Sequence, residues 1–96
     1  MRPSIALQQH HADIHALTRR YKVTNPRVFG SVLEGRDVDG SDLDLLVDPL
    51  PGATLFDLGA LHAELEETLG VTVDLLTPGD LPAHFRAHIV ATAKAL

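Results

Sequence analysis

From about Ser4 to Tyr21, apolar side chains recur at Leu7, Ile14, Leu17 and Tyr21 with polar residues between them, the spacing of one helix face, and Pro3 and Ser4 supply start signals. Asn25-Pro26 breaks the pattern. Arg27-Val28-Phe29 is predicted as a short strand running into Gly30-Ser31, and Ser31 to Gly35 has room for one helical turn. The next six residues, Arg36 to Ser41, are dense in turn formers and are expected to form a loop.

The alternation in Asp42-Leu43-Asp44-Leu45-Leu46-Val47 predicts a strand with Leu43, Leu45 and Val47 on one face and Asp42 and Asp44 on the other. Asp48-Pro49-Leu50-Pro51-Gly52 ends it. Thr54 is placed to cap a helix whose Leu58, Leu61, Leu65 and Leu69 recur at three and four, and Gly70 suits its exit. Val71 to Leu76 is predicted as a third strand, with Asp74 out of phase with Val71, Val73 and Leu75. Thr77-Pro78-Gly79 closes that strand. Asp80 is expected to cap a last helix, with Pro82 in its first turn and Leu81, Phe85, Ile89 and Leu96 facing inward. The order is helix, strand, short turn, strand, helix, strand, helix.

Ninety-six residues, 45% of them hydrophobic, suffice for one domain and one core, residues 1–96, with little room for a separate substrate domain. A large substrate is therefore expected to be another macromolecule. Eight Lys/Arg scattered among thirteen Asp/Glu, a formal charge of −5, offer no basic stripe for tracking nucleic acid, so a protein or nucleotide partner fits better. The absence of cysteine excludes disulfides, thiolate metal sites and a cysteine nucleophile. No apolar run reaches the length that spans a bilayer, and the chain reads as soluble and cytoplasmic, without membrane contact.

Two carboxylates at i and i+2 on a strand, Asp42 and Asp44, with a third, Asp74, on a strand that can lie beside it, can place several oxygens around one or two small hard cations. Without a cation or protons such a cluster repels itself. Magnesium suits the set because it keeps some waters and takes its other ligands from carboxylates and substrate phosphates. Gly30-Ser31, at the end of one strand and the start of a helical turn, can turn free N–H groups toward an anion.

Ten residues separate Ser31 from Asp42, so the combined pattern reads Gly30-Ser31, a ten-residue gap, Asp42-Leu43-Asp44, and then Val73-Asp74-Leu75-Leu76 after a helix. In this the chain resembles the minimal nucleotidyltransferase family, relatives of the DNA polymerase beta superfamily. The resemblance implies an α/β (α+β) fold, a small mixed sheet flanked by helices. It further implies transfer of AMP from ATP, with Gly30 and Ser31 holding the triphosphate. Asp42 and Asp44 would bind two Mg2+ ions, shared in part with Asp74, and Asp74 would help activate the attacking hydroxyl. Small members resemble the antitoxin halves of two-gene bacterial modules whose partner is a HEPN-type ribonuclease toxin. That implies a hetero-oligomer and adenylylation of a toxin tyrosine. The alternative is a catalytically weak antitoxin that neutralises its toxin by binding alone; small-molecule nucleotidyltransferases carry an added substrate region for which this chain looks too short.

One departure bears on activity. Many relatives carry a basic residue where Glu34 precedes Gly35, and Val32 is apolar where arginine is frequent. The triphosphate would then need Arg36, Arg27 or a partner residue. Asp37 and Asp39 are expected to be loop formers and Asp48 a strand-ending residue, all outside the site. His84 and His88 are spaced i, i+4, but no third zinc ligand has matching spacing, and the six histidines are read as surface or boundary residues.

Overall fold

The structure, a computed structural model, describes all 96 residues. A four-stranded mixed sheet has the order β3-β2-β1-β4, from β1 (Val23–Phe29), β2 (Leu43–Pro49), β3 (Val73–Leu76) and β4 (Lys94–Ala95). β1 runs antiparallel to β2 and to β4, whereas β2 and β3 are parallel and are joined through α4 (Leu55–Leu69). The chain begins with α1 (Pro3–Gln9) and α2 (His11–Arg20), makes the single turn α3 (Gly30–Leu33) after β1, and ends with a 3-10 turn (Pro78–Asp80), α5 (Ala83–Thr92) and β4.

Alternation in β2 sets the layers. Leu43, Leu45 and Val47 are fully buried in one cluster with Ile14 of α2 and Leu61 and Leu65 of α4, so the three helices α1, α2 and α4 cover that face. Each such side chain contributes about 1.5–3 kcal/mol through burial. The leucine stripe of α4 is thus core, as its periodicity predicts. Thr54 caps α4 by accepting from Asp57 N–H while the Asp57 carboxylate accepts from Thr54 N–H, and Gly70 closes the helix at φ +71°. From its second half, α4 also satisfies the outer edge of β3: Glu66 accepts from Val73 N–H at 2.9 Å and His62 Nε2 donates to Val73 O at 2.6 Å. Between these two residues, Glu64 acts on the Tyr21 hydroxyl and raises its pKa above the usual tyrosine value.

Several expectations are corrected. The first helix is two, broken at His10, and its start is held by Asp37, a buried side chain rather than a plain loop former. Asp37 Oδ2 accepts from Ser4 N–H at 2.8 Å and Arg2 lies 3.5 Å from Oδ1. These bonds hold the Asp37 carboxyl below the usual carboxylate range. β1 is longer than its apolar triplet, because Asn25-Pro26 is absorbed as an irregularity between Thr24 and Arg27, with Asn25 at φ +55°. Asp80 does not cap α5; its carboxylate closes the preceding turn by accepting from Thr77 N–H, and Pro82 stands at the helix start. α5 has no buried residue, and Phe85, expected to face inward, is exposed. The apolar periodicity there misleads because the segment after α5 is a strand: β4 pairs with β1, and Leu96 N–H donates to Pro26 O. No helix is long and apolar enough to cross a membrane.

Candidate active site

Asp44 shares its face of β2 with Leu46 and Asp48. Leu46 is nevertheless fully buried and lies outside the main cluster, while the 3-10 turn packs on β2 and Leu81 beyond it is buried. The polar face of the strand therefore has an apolar floor next to its charge. A leucine in phase with two aspartates was a signal of a second covering layer, and the sequence reading did not use it.

The register brings the expected residues together. Asp44 is the partner of Phe29 on β1 and of Asp74 on β3, so it sits between the end of one strand and the second carboxylate. Asp42 lies just before β2 rather than within it, and is exposed, as is Asp74; Asp44 is partly buried. Burial, then the charges of Asp74 and Asp42, and a hydrogen bond to Asp74 that favours the protonated form push the Asp44 pKa up to about 6. The group that would be most strained as an anion is the central one.

Gly30 follows Phe29 at φ +71°, a conformation in which side chains are strained. A Cβ on Gly30 would overlap the Asp44 carboxylate and lie 3.0 Å from its Cγ. Only glycine lets the turn lie against the acid. Within α3 the first N–H groups have no intrahelical acceptor, so the turn presents backbone donors beside the carboxylates. All five predicted residues, Gly30, Ser31, Asp42, Asp44 and Asp74, thus come to one end of the sheet.

The three carboxylates do not converge as a ready-made metal cage. Magnesium needs only one or two carboxylates and completes its shell with water and phosphate, so an open set of this kind could still serve it. Likewise the clefts of about 400, 330 and 360 Å³ lie beside Ser41 and Thr72, beside Asn25 and beside Val32, and neither Asp44 nor Asp74 lines one. The carboxylate end of the sheet is an open face.

Of the residues set aside, Asp48 binds Arg27 at 2.6 Å and Asn25 at 3.0 Å, which ties down the start of β1 away from the site. His84 and His88 stand exposed on α5. The pairing of Glu34 with Arg36 was not foreseen: Arg36 Nε donates to Glu34 Oε2 at 2.8 Å, with NH2 on the same oxygen.

Residues 12–96 match the "Polymerase beta, Nucleotidyltransferase" family. The chain belongs to that family. A solved "putative minimal nucleotidyltransferase" is 35% identical and superposes with a TM-score of 0.86, covering 97% of this chain and 95% of that one. "Putative protein adenylyltransferase MJ0435" of Methanocaldococcus jannaschii is 41% identical over 58 residues, 60% of this chain and 62% of that protein. A second protein of that organism, "Putative protein adenylyltransferase MJ1217", is 34% identical over 65 residues, 68% of this chain and 66% of that protein. The chain thus spans somewhat under two thirds of the length of these curated relatives. A toxin–antitoxin crystal structure with AMP-PNP contains a chain 23% identical, with a TM-score of 0.73, covering 88% of this chain and 69% of that one; at that identity the likeness concerns the fold.

Proposed function

We propose that this nucleotidyltransferase-family domain transfers AMP from ATP, with Mg2+, to a tyrosine hydroxyl of a HEPN-type ribonuclease toxin and acts as its antitoxin. The observation that carries the reading is the placement of Asp44, in register with Asp74 and in contact with Gly30. A strand-edge pair of solvated aspartates needs neither arrangement. The names of the curated relatives and the toxin–antitoxin neighbour support the choice of a protein acceptor.

Asp42 and Asp44, with Asp74 beside them, would hold two Mg2+ ions, which when bound supply charge neutralisation across the polyphosphate. The Gly30-Ser31 turn orients the triphosphate by backbone donors. The acceptor oxygen attacks the α-phosphorus, forming the new O–P bond as the bond to the bridging oxygen of the β-phosphate breaks and pyrophosphate leaves. Asp74, exposed at the rim, accepts the hydroxyl proton. Tyrosine's reference pKa of about 10 makes such help necessary at neutral pH.

Glu34 had favoured neutralisation by binding alone. Its pairing with Arg36 weakens that argument, because it places within the same loop the cation that position 34 itself lacks. The test is intact-mass spectrometry of a HEPN-type toxin after incubation with the domain, ATP and MgCl2. Mass increments of AMP are expected; complex formation without any increment would leave neutralisation by binding.

A further inference from the structure

We propose that Arg36 neutralises the terminal phosphates of the bound nucleoside triphosphate, and that Glu34 holds this guanidinium off the site until the nucleotide competes for it. The inference rests on the reading of the site as a triphosphate site.

Both residues belong structurally to the phosphate turn. Glu34 N–H donates to Gly30 O at 3.1 Å and Arg36 N–H donates to Ser31 O at 2.9 Å, so each backbone is bonded to one member of the pair that faces the phosphates. Between them Gly35, at φ +71°, reverses the chain so that the two side chains meet. Arg36 places two donors on one carboxylate oxygen of Glu34 and leaves the rest of its planar fork free.

The other cations are committed elsewhere or face away. Arg27 is bound to Asp48, Arg2 to Asp37 and Arg20 to Glu64, and Arg86 donates to the carbonyls of Pro78, Gly79 and Leu81. Arg19 donates to His15 O on α2, and Lys22 precedes the far end of β1. Lys94 is the register partner of Val28, whose side chain lies in the helix-covered core, so Lys94 projects on the face opposite Asp44. Arg36 is the cation whose backbone is bonded to the Gly30-Ser31 turn.

The Glu34–Arg36 pair is exposed, and exposed pairs contribute little. A polyphosphate offers several anionic oxygens in the geometry that a guanidinium engages through two parallel bonds, and such charge-assisted bonds are the stronger ones. Exchange of Glu34 for phosphate therefore favours the nucleotide, and the released carboxylate stays in water. AMP lacks the terminal phosphates and gains nothing from the exchange. Arg36 thus raises ATP over AMP, and Glu34 sets how far.

The experiment is calorimetric titration of ATP and of AMP, at fixed MgCl2, into the wild type, Glu34→Gln, Arg36→Gln, the double variant and Asp42→Asn, with thermal melts to verify folding. Arg36→Gln is expected to weaken ATP about tenfold and to leave AMP within about twofold. Glu34→Gln is expected to tighten ATP by roughly threefold, with a smaller gain when Arg36 is absent, because only with Arg36 present does it abolish a competing bond. Unchanged ATP affinity in Arg36→Gln, with binding still lost in Asp42→Asn, overturns the inference and leaves the site standing. Equal Glu34→Gln gains in both backgrounds overturn the gating half. No ATP binding by folded wild type defeats the site itself, and this inference with it.

Discussion

Asp44 and Asp74 are register partners on the parallel strands β2 and β3, and burial, followed by this pairing, makes Asp44 the carboxyl whose ionisation is opposed most. A carboxyl raised from 3.8 to about 6 favours the folded state while it is protonated in both states. That contribution is complete below pH 3.8 and is lost as pH rises through about 6. Without metal, stability should therefore decline across that window by roughly 1–2 kcal/mol, after allowance for solvent at a partly exposed site. Asp44→Asn should remove the decline and melt higher than wild type at pH 7.5 in EDTA. Thermal melts between pH 4 and 8 check this, and parallel curves for the two proteins would contradict it.

Gly30 and Gly70 share φ +71° but differ in surroundings, since a Cβ at Gly70 meets nothing within 4 Å whereas at Gly30 it meets Asp44. Gly70→Ala should cost about 1–2 kcal/mol from backbone strain alone. Gly30→Ala should cost more and should abolish stabilisation by ATP with MgCl2, which Gly70→Ala should retain. Denaturant unfolding with and without nucleotide separates the two effects.

Asp74→Asn should slow AMP transfer at least about a hundredfold, the scale of lost general-base assistance, while weakening ATP only modestly. On the proposed function its exposed carboxylate receives the acceptor, and Asp42 and Asp44 still hold the nucleotide. Transfer rates set beside ATP titration decide the matter; undiminished transfer would move the proton to solvent or to the partner.

Asp37→Asn should lower the melting temperature at neutral pH without changing ATP affinity, because the side chain holds the start of α1 through Ser4 N–H rather than any site residue. Its depressed pKa gives the pH dependence opposite to that of Asp44: the contribution is present above the usual carboxylate value and is lost on acidification through the lower one. Melting curves of the two proteins should accordingly converge at low pH.

The placement of the candidate residues was legible where its signals are local. Alternation around Leu43 and Leu45 placed Asp44 on the face away from the core, Asp74 fell out of phase on another strand, and the spacing from Gly30-Ser31 joined them in one pattern, whereas the pairing of β2 with β3 came from the structure. The missed features depend on distant partners. β4 has two residues and exists because β1 offers an unpaired edge. Asp37 meets Ser4 across 33 positions. Phe85 carries helical spacing with no surface to face, and periodicity cannot report a missing neighbour.

β2 carries Leu43, Leu45, Leu46 and Val47, each without solvent exposure, and Asp44 stands among them. The acid proposed to hold metal is therefore mounted on a strand with four fully buried residues. Its aim is inherited from the oil-filled interior, with no flexible arm to adjust it. A lineage can retune what arrives at this acid by altering Glu34, Arg36 or the rim, but it cannot re-aim the acid without rebuilding the centre of the molecule. On the proposed function, specificity is left free to drift while the placement of Asp44 is locked to the ability to fold.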